Sequence, residues 1–452
     1  MRDEMSGRRG ARVGRRSPTV DDEWLHALQK ATFTYFWQTT NPQNGLIPDN
    51  TMAATPASIA GVGLALATCA VGAERGFVTR PQALERTLRT LRFLWKSVQS
   101  AEGDATGYRG FFYHFLDVRT GGRASGCELS TMDTAILLAG VLTAGAYFDR
   151  DVAAERDVRA LAEQLYLRVD WRWAQNDGAT VTHGWTPERG FIRYRWQGFN
   201  EGLLLYVLGL GSPTHALPEE SYLAWTSTYR WKTLYGCEFL YGGPLFMHQL
   251  SHVWIDFRAI QDAYMRMKGI DYFENSRRAT YVQQAYATRN PKGFTAYGEH
   301  LWGITASNGP GPATRRLDGV TRRFLGYRAR AVPYGPDDGT IAPWAIVASL
   351  PFAPEIVLPT LQHCVDLYPA MLRDHGLVCS INPTFRESRG RSGGWISRSH
   401  FALDQGPVVL MIENYRSGLL WRLMRRCPFV VNGLRRAGFS GGWLESPAPG
   451  AR

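Results

Sequence analysis

The sequence is short of lysine. Only five of its 51 basic residues are lysine and the rest are arginine, and 40 acidic residues leave a net charge of +11. Six arginines lie in the first 20 residues, and the remaining excess is spread along the chain. A nucleic-acid-binding protein concentrates such charge beside a recognisable motif, which this sequence lacks. We therefore expect no nucleic-acid partner.

Cysteine is also scarce and lacks the spacing that metal sites use. The six cysteines form no Cys-x-x-Cys pair, and no His-rich segment lies near them. We therefore predict neither a metal site nor a dense disulfide framework.

Long apolar runs are absent as well. No stretch reaches 18 uninterrupted apolar residues, so we expect no transmembrane helix and no membrane insertion. Residues 1–20 carry charge with no hydrophobic segment behind them, so we expect a disordered basic arm and not a signal peptide. The compartment stays open: cytoplasmic by default, or periplasmic if the start codon is misassigned.

The chain does have enough apolar and aromatic material for a large core. Of its 452 residues, 44% are hydrophobic, 20% are charged and 12% are aromatic. This composition excludes a wholly disordered protein. The 15 Trp, 20 Tyr and 21 Phe also indicate a surface that stacks on flat ligands.

Apolar periodicity and capping residues predict twelve helices and few strands. Long and short connections alternate between these helices, and every long connection follows an odd-numbered helix. The alternation places the long loops at one end of six helical hairpins. The predicted helices cover residues 21–40, 56–76, 80–100, 130–148, 152–170, 199–211, 218–231, 252–268, 274–290, 340–351, 354–374 and 404–427.

The even-numbered helices differ in composition from their neighbours. Segments such as SIAGVGLALATCAVGA are almost uncharged, whereas RPQALERTLRTLRFLWKSVQ is amphipathic. Buried inner helices that alternate with half-exposed outer helices predict an all-α (α/α)6 toroid over residues 21–430, with a C-terminal tail over 431–452. An open α-solenoid is the alternative, but the sequence lacks the equal-length repeat that a solenoid requires.

Lone carboxylates stand where the long loops meet the inner helices. Capping could explain any one of them, because a helix start offers free N–H groups and a positive dipole end. Several carboxylates on one rim, among aromatic side chains, instead favour a functional groove, because burying an unpaired carboxylate is costly. The carboxylates are Glu128, Asp133, Glu201, Asp256 and Asp404, and their neighbours include Trp196, Trp254, Trp302 and His252.

Paired carboxylates in a groove lined by aromatic rings are typical of glycoside hydrolysis. One carboxyl group protonates the leaving oxygen, and the other activates water or attacks the sugar carbon. Aromatic faces stack on the sugar rings. The pattern therefore favours a glycoside hydrolase.

Eight motifs follow one another over about residues 21–430: GLIPDN, SIAGVGLALA, ELSTMDTAILLAG, FNEGLLLYVLGLGSP, LFMHQLSHVWIDFR, YGEHLWGITASNGP, DGTIAPWAIVASLPFAPE and LDQGPVVLMIENYRSGLLW. In these motifs the sequence resembles the bacterial glucoamylase-like domain family, which contains endo-β-1,2-glucanases and is related to a domain of cyclic β-1,2-glucan synthases. The resemblance implies the (α/α)6 fold. It also implies inverting hydrolysis of β-1,2-linked glucan or its oligosaccharides without a cofactor.

The resemblance assigns roles to particular carboxylates. Glu201, in the Asn-Glu motif, matches the general acid. Asp133 matches another acidic position of the family's site, and Glu128 accompanies it. We assign Asp404 as the general base, with an indirect relay through hydroxyl groups as the alternative.

Other residues of the same motifs are predicted to contact sugar. For Asp256 and Arg258 the alternative is a structural pair, and for Trp302 it is core filling. Glu413 is expected to be a buried partner of Arg416 or of a neighbour. The predicted substrate contacts are Glu128, Asp49, His248, Gln249, His252, Trp254, Arg258, His300, Trp302 and Trp196.

The loop over residues 308–338 departs from the family pattern. Asn308 stands where the family usually has Asp, and six arginines follow within a short stretch that contains the single acidic residue Asp318. The arginines could be solvated side chains in an Arg-rich chain. The alternative is that they attract a glucan with anionic substituents, because a planar guanidinium binds oxyanions bidentately. They are Arg315, Arg316, Arg322, Arg323, Arg328 and Arg330.

Other functions remain open at this point. A transglycosylase, or an exo-acting enzyme that releases a disaccharide, would differ only in the loops that close the groove. A catalytically inactive carbohydrate-binding protein would keep the aromatic residues and lose the acids, yet every acid is present. A polysaccharide lyase is disfavoured by the Asn-Glu motif.

Overall fold

The computed structural model describes residues 19–386 and 394–445. Within these ranges helices form the body of the molecule. The α-helices are α1 Asp22–Thr39, α2 Ile59–Glu74, α3 Arg80–Lys96, α4 Thr131–Tyr147, α5 Ala153–Leu167, α6 Trp171–Gln175, α7 Gly202–Gly211, α8 Glu219–Thr226, α9 Ala263–Lys268, α10 Tyr272–Arg289, α11 Pro343–Ala348, α12 Pro354–Leu367, α13 Ala402–Arg416, α14 Leu419–Arg425 and α15 Pro428–Arg436.

Short antiparallel strands occupy the long loops. The largest sheet has five strands in the order β2-β3-β5-β6-β7, and the remaining strands pair in twos. The strands are β1 Ala57–Ser58, β2 Gly107–Tyr108, β3 Phe111–Tyr113, β4 Phe115–Leu116, β5 Leu129–Ser130, β6 Gly184–Thr186, β7 Gly190–Phe191, β8 Trp231–Leu234, β9 Cys237–Leu240, β10 Ala306–Ser307, β11 Ala313–Leu317, β12 Val320–Phe324, β13 Arg328–Ala329, β14 Leu372–Arg373, β15 Gly376–Leu377, β16 Ile381–Asn382 and β17 Trp395–Ile396.

The inner ring consists of α2, α4, α7, α11 and α13, which are buried along most of their length. Helix α2 packs against α4 and α13, α4 against α7, and α11 against α13. The amphipathic α3 and α5 pack outside them. This arrangement confirms the predicted all-α (α/α)6 fold. No helix of the described residues combines the length and apolar character needed to cross a bilayer.

Two glycines set the closest approach of the inner ring. A Cβ on Gly140 would lie 1.9 Å from the Gly63 carbonyl oxygen, and one on Gly63 would lie 2.4 Å from the Ile136 carbonyl oxygen. Any side chain would therefore push α2 and α4 apart. The small-residue composition that marked these helices as inner follows from this contact.

The predicted inner helix over 252–268 is wrong. The chain instead makes two 3₁₀ turns, Leu245–His248 and Leu250–Val253, then an irregular stretch before α9. The Asp256 carboxylate accepts a hydrogen bond from the Arg258 backbone N–H, and Ala259 has φ 61°. Both features end a helix, and neither shows in the apolar periodicity.

The predicted helix over 404–427 is divided. Gly418, at φ 67°, separates α13 from α14. Helix α15 follows and packs closely on α7, where a Cβ on Gly433 would lie 1.9 Å from the Val207 carbonyl oxygen. Of the segment assigned as a tail, residues 431–445 are described and include the end of α15. Residues 446–452, and positions 1–18 of the expected basic arm, lie outside the described residues.

Glu413 ties α13 to its neighbours. Its carboxylate accepts hydrogen bonds from Arg75 Nε at 2.7 Å and Nη2 at 2.8 Å, from Gln29 Nε2 at 3.0 Å and from Ser417 Oγ at 2.6 Å. It is a buried structural partner, as expected, but of Arg75 and not of Arg416, which pairs with Asp22.

Substitution Glu413→Gln should destabilise the fold by about 3 kcal/mol, because it removes the charge that partners Arg75. Burial raises the pKa of Glu413, but its donors outweigh burial and hold the pKa below the usual range. The stabilisation is therefore present above the unfolded pKa of ~4.3 and lost as pH falls. Denaturant unfolding at pH 7 and pH 3.5 measures this, with the exposed Glu220→Gln as control. If Glu413→Gln differed from wild type by the same free energy of unfolding at both pH values, the predicted pH dependence would be contradicted.

Candidate active site

A cavity of about 540 Å³ opens at the N-terminal ends of the inner helices. Helix α4 contributes Asp133, α7 begins just after Glu201, and α13 contributes Asp404. These three predicted acids therefore share one cavity. Its walls are Asp49, Met52, His114, Phe115, Glu128, Ser130, Met132, Asp133, Ile136, His183, Trp196, Glu201, Phe246, Gln249, Leu250, Ala306, Asn308, Tyr327, Trp344, Phe401, Leu403, Asp404 and Pro407.

Glu201 occupies the N-cap of α7 without capping it. Its side chain makes no cap hydrogen bond, and Oε2 has no partner within the described residues. Burial raises the pKa of Glu201 to about 7, with a further contribution from the negative charge of Asp133. A carboxyl group with such a pKa keeps its proton near neutral pH, as a general acid must.

Asp404 lies in the first turn of α13 and is 3% exposed. Its Oδ2 has no hydrogen-bond partner within the described ranges. Burial raises its pKa well above the usual range; the Cys379 thiol opposes this effect, and Asp49 adds to it. A raised pKa makes the ionised carboxylate a stronger base.

His114 lies among three carboxylates. The register of β3 and β5 pairs Tyr113 with Leu129, so His114 comes opposite Glu128. His114 Nδ1 is 2.9 Å from Glu128 Oε1, and Nε2 is 3.7 Å from Asp133 Oδ1. Burial lowers the pKa of His114, but Asp133, Glu128 and Asp49 outweigh it and raise the pKa to about 9.

Asp49 closes this group of acids. Its Oδ2 accepts a hydrogen bond from Asn50 Nδ2 at 2.9 Å. Burial raises the pKa of Asp49, although Asn50 and His114 stabilise its charge. No group of three or more His, Cys, Asp or Glu among the described residues has an arrangement that could hold a metal ion.

Aromatic rings form the remaining walls. Trp196 stacks on His183 with centroids 4.1 Å apart and donates from Nε1 to Thr131 Oγ1 at 3.0 Å. Trp344 is buried and its Nε1 has no partner within the described chain. Tyr327 is 57% exposed at the mouth, with its ring 6.0 Å from that of Phe401. Flat faces beside carboxyl groups suit a sugar chain.

Gln249 is a predicted contact that does reach the cavity. Its Nε2 donates to the Ala345 carbonyl and to Ser349 Oγ, both at 2.7 Å, which fixes the amide. Its Oε1 has no partner among the described residues. Asp49, Glu128 and Trp196 also line the cavity, as the sequence predicted.

Four other predicted contacts are buried outside the cavity lining, so their prediction is corrected. His248 Nε2 lies 3.1 Å from the Gly242 carbonyl, and His252 Nε2 lies 3.0 Å from Ser276 Oγ. Burial lowers their pKa values to about 4 and about 3, which leaves both rings neutral. Trp254 and Trp302 are fully buried core residues. The two 3₁₀ turns direct His248 and His252 into the protein.

The sequence prediction also placed His300 and Arg258 in the sugar groove, where the structure does not have them. His300 is exposed and lies beside His363. Arg258 and Arg425 both pair with the buried Asp256, which holds the Asp256 pKa below its usual range despite burial. The structural alternative for Asp256 is therefore the correct one, and this carboxylate is not part of the cavity wall.

A larger groove of about 940 Å³ lies on the side of Arg425. It runs along α14 and α15 and includes Trp443. None of the predicted catalytic carboxylates lines it. Its volume is greater than that of the carboxylate cavity, but its two acids, Glu74 and Asp149, lie among arginines, and Asp149 pairs with Arg80 and Arg426.

The Arg-rich loop forms a hairpin of β11 and β12. Arg315 lies over Phe385 and Arg322 over Phe294, on the face that packs against the protein. Arg330 is fully buried and pairs with Asp338 at 2.7 Å. The exposed arginines of the hairpin's other face are Arg316 and Arg323, for which the structure shows no hydrogen bond or ion pair within the described residues.

Sequence reasoning missed His114, His183, Phe115, Tyr327 and Trp344. His114 and Phe115 stand in the segment FFYHF, whose strand character was the available signal. Tyr327 lies between arginines in the sequence, and Trp344 lies in an apolar helix, so neither position suggested a cavity wall. Their positions depend on how the loops fold over the opening of the cavity, and the spacing of apolar residues does not predict this.

Known proteins are similar to this chain in architecture and in sequence. A crystal structure described as a "putative glucoamylase" from Bacteroides uniformis is 31% identical with a TM-score of 0.82, over 95% of this chain and all of that one. An endo-β-1,2-glucanase from Chitinophaga pinensis, solved with sophorotriose and glucose, is 27% identical with a TM-score of 0.81, over 94% of this chain and all of that one.

A curated relative from Parabacteroides distasonis is named an exo β-1,2-glucooligosaccharide sophorohydrolase (non-reducing end). It is 28% identical over 93% of this chain, which spans 58% of that relative's length. A family model described as "Putative glucoamylase" matches residues 193–428, more than half of the sequence. These matches confirm the resemblance carried by the motifs, and the chain belongs to this glucoamylase family.

Proposed function

We propose that the chain is a glycoside hydrolase that cleaves β-1,2-linked glucan or its oligosaccharides. The observation that carries the proposal is the pairing of Glu201, with a pKa of about 7, and the buried Asp404 in one aromatic-walled cavity. The linkage rests on relatives whose names state β-1,2-glucan activity.

In the proposed reaction Glu201 donates its proton to the glycosidic oxygen as the C1–O bond breaks. A water molecule forms the new bond to C1 from the opposite face, and Asp404 accepts its proton directly or through hydroxyl groups. The anomeric configuration is inverted. This geometry needs carboxyl groups roughly 6.5–9.5 Å apart, with room for water.

The relatives support two modes of action. The Chitinophaga pinensis protein is named an endo-glucanase, and the Parabacteroides distasonis protein an exo-acting sophorohydrolase. Size analysis of products from a long linear β-1,2-glucan separates the modes. Endo action gives a ladder of intermediate chains, exo action gives one disaccharide from the start, and transglycosylation gives products longer than the substrate.

The substitution Glu201→Gln should lower kcat on linear β-1,2-glucan by ~10²–10⁴-fold, because the amide has no acidic proton. Wild-type activity should decline above about pH 7, where Glu201 ionises. The exposed Glu220→Gln is the matched control, and β-1,3- and β-1,4-glucans control for linkage. If no β-glucan gave a product, the proposed hydrolase activity would be refuted and a carbohydrate-binding protein favoured. Near-wild-type turnover in Glu201→Gln would refute the assignment of Glu201 as the general acid.

The substitution Asp404→Asn should cause a loss of at least ~10²-fold, because the amide cannot accept the water proton. Proton NMR of the first product from the wild-type enzyme should show the α-anomer, since a β-linkage is inverted. Asp133→Asn is assayed in parallel. An initial β-anomer would contradict inversion. If Asp133→Asn lost activity and Asp404→Asn did not, Asp133 would be the general base instead of Asp404.

We further propose that Arg316 and Arg323 favour glucans that carry anionic groups. Both are exposed on the hairpin that leads to Tyr327 at the cavity mouth. The proposal excludes Arg330, because Asp338 already neutralises its charge.

Changing Arg316 and Arg323 to Ser should lower kcat/KM for an anionic glucan and leave that for a neutral glucan unchanged. The wild-type preference should weaken between 0.01 M and 0.1 M salt, as the Debye length falls from ~30 to ~10 Å. The Arg→Lys pair at the same positions is the control, because it keeps the charge. Equal salt dependence for both glucans would show the hairpin to be a solvated surface.

A further inference from the structure

His114 occupies a central position among the acids of the cavity. Its two ring nitrogens face different carboxylates, Glu128 at 2.9 Å and Asp133 at 3.7 Å, and Asp49 is close enough to act on its charge. Its ring stacks on Phe115 with centroids 4.0 Å apart and planes 13° apart. The imidazole is thereby fixed with both nitrogens directed at negative charge.

The protonation state follows from this geometry. A neutral imidazole has one N–H and one lone pair, so one carboxylate would face a lone pair. An imidazolium donates from Nδ1 to Glu128 and places its positive charge 3.7 Å from Asp133. Within the described residues no Arg or Lys forms an ion pair with Asp49, Glu128 or Asp133, so His114 is their cationic partner.

The carboxylates around His114 act in turn on the proposed catalytic pair. The charge of Asp133 helps to keep the proton on Glu201. The charge of Asp49 acts on Asp404 in the same direction. A cation at position 114 therefore controls how much negative charge Glu201 and Asp404 experience.

We propose that His114 is a positioning residue which, as an imidazolium, is the counter-ion of Glu128, Asp133 and Asp49 and thereby limits the negative charge that acts on Glu201 and Asp404. This role rests on the proposed glycoside hydrolase function. Without the cation the negative charge of the three carboxylates is no longer offset. The negative charge that acts on Glu201 and Asp404 then rises, and both carboxyl groups ionise at higher pH.

The first test is the pH dependence of kcat/KM on linear β-1,2-glucan. In His114→Gln both limbs of the bell-shaped profile should move to higher pH, by up to about one unit, because a positive charge that offsets the neighbouring carboxylates is removed. His114→Lys, which restores a cation, should return both limbs part of the way. A lowered rate with an unchanged bell in both variants would overturn the proposal and leave the hydrolase function standing.

The second test needs no activity. NMR titration of histidine-labelled protein, assigned with His114→Gln, should show the His114 ring as imidazolium up to about pH 9. His183 is the internal control, because burial lowers its pKa and its ring should be neutral at pH 7. A His114 ring that is neutral at pH 7 would overturn the proposal even if the wild-type enzyme is active. An inactive protein with a charged His114 would instead refute the hydrolase function.

Discussion

The cavity depends on two acidic side chains without basic partners at the N-terminal ends of largely apolar helices. Glu201 precedes α7 and Asp404 lies in the first turn of α13, and no Arg or Lys of the described residues pairs with either. Burial penalises the ionised form and raises the pKa of both groups, to about 7 for Glu201, which therefore keeps its proton near neutral pH. The inner ring supplies the apolar surroundings that make this possible, and acid chemistry at the mouth therefore follows from helix packing.

Glu201 and Asp404 differ from the buried acids Asp256 and Glu413 in having no basic partner among the described residues. Asp256 and Glu413 are at least as deeply buried as Asp404 and Glu201, but arginines hold both ionised and bind their oxygens. A buried carboxylate with a guanidinium partner has no free oxygen for a substrate. Glu201 Oε2 and Asp404 Oδ2 lack partners among the described residues, so each can bind a sugar or water.

Local patterns were sufficient to predict five of the six inner helices and the acids at the start of three of them. Uncharged Gly- and Ala-rich segments must be buried, and their starts fall at one end of the molecule. The predicted helix over 252–268 failed because the turn at Asp256 and the left-handed Ala259 depend on tertiary contacts. His248 and His252 were misplaced for the same reason, since an apolar motif cannot report whether its polar residues face a cavity or the core.

The capping alternative for the carboxylates can be tested at each helix start. At α4 the cap is Ser130, whose Oγ accepts from the Asp133 backbone N–H at 3.1 Å and donates to the Asp133 carboxylate. Neither Glu201 nor the residue before α13 makes a side-chain cap bond. The helix ends therefore do not require these acids. The neighbouring sheet supplies the positive charge that faces Asp133, because the register of β3 and β5 brings His114, directly after β3, opposite Glu128 and 3.7 Å from Asp133. The helix provides the acid, and the residue after the strand provides its counter-ion.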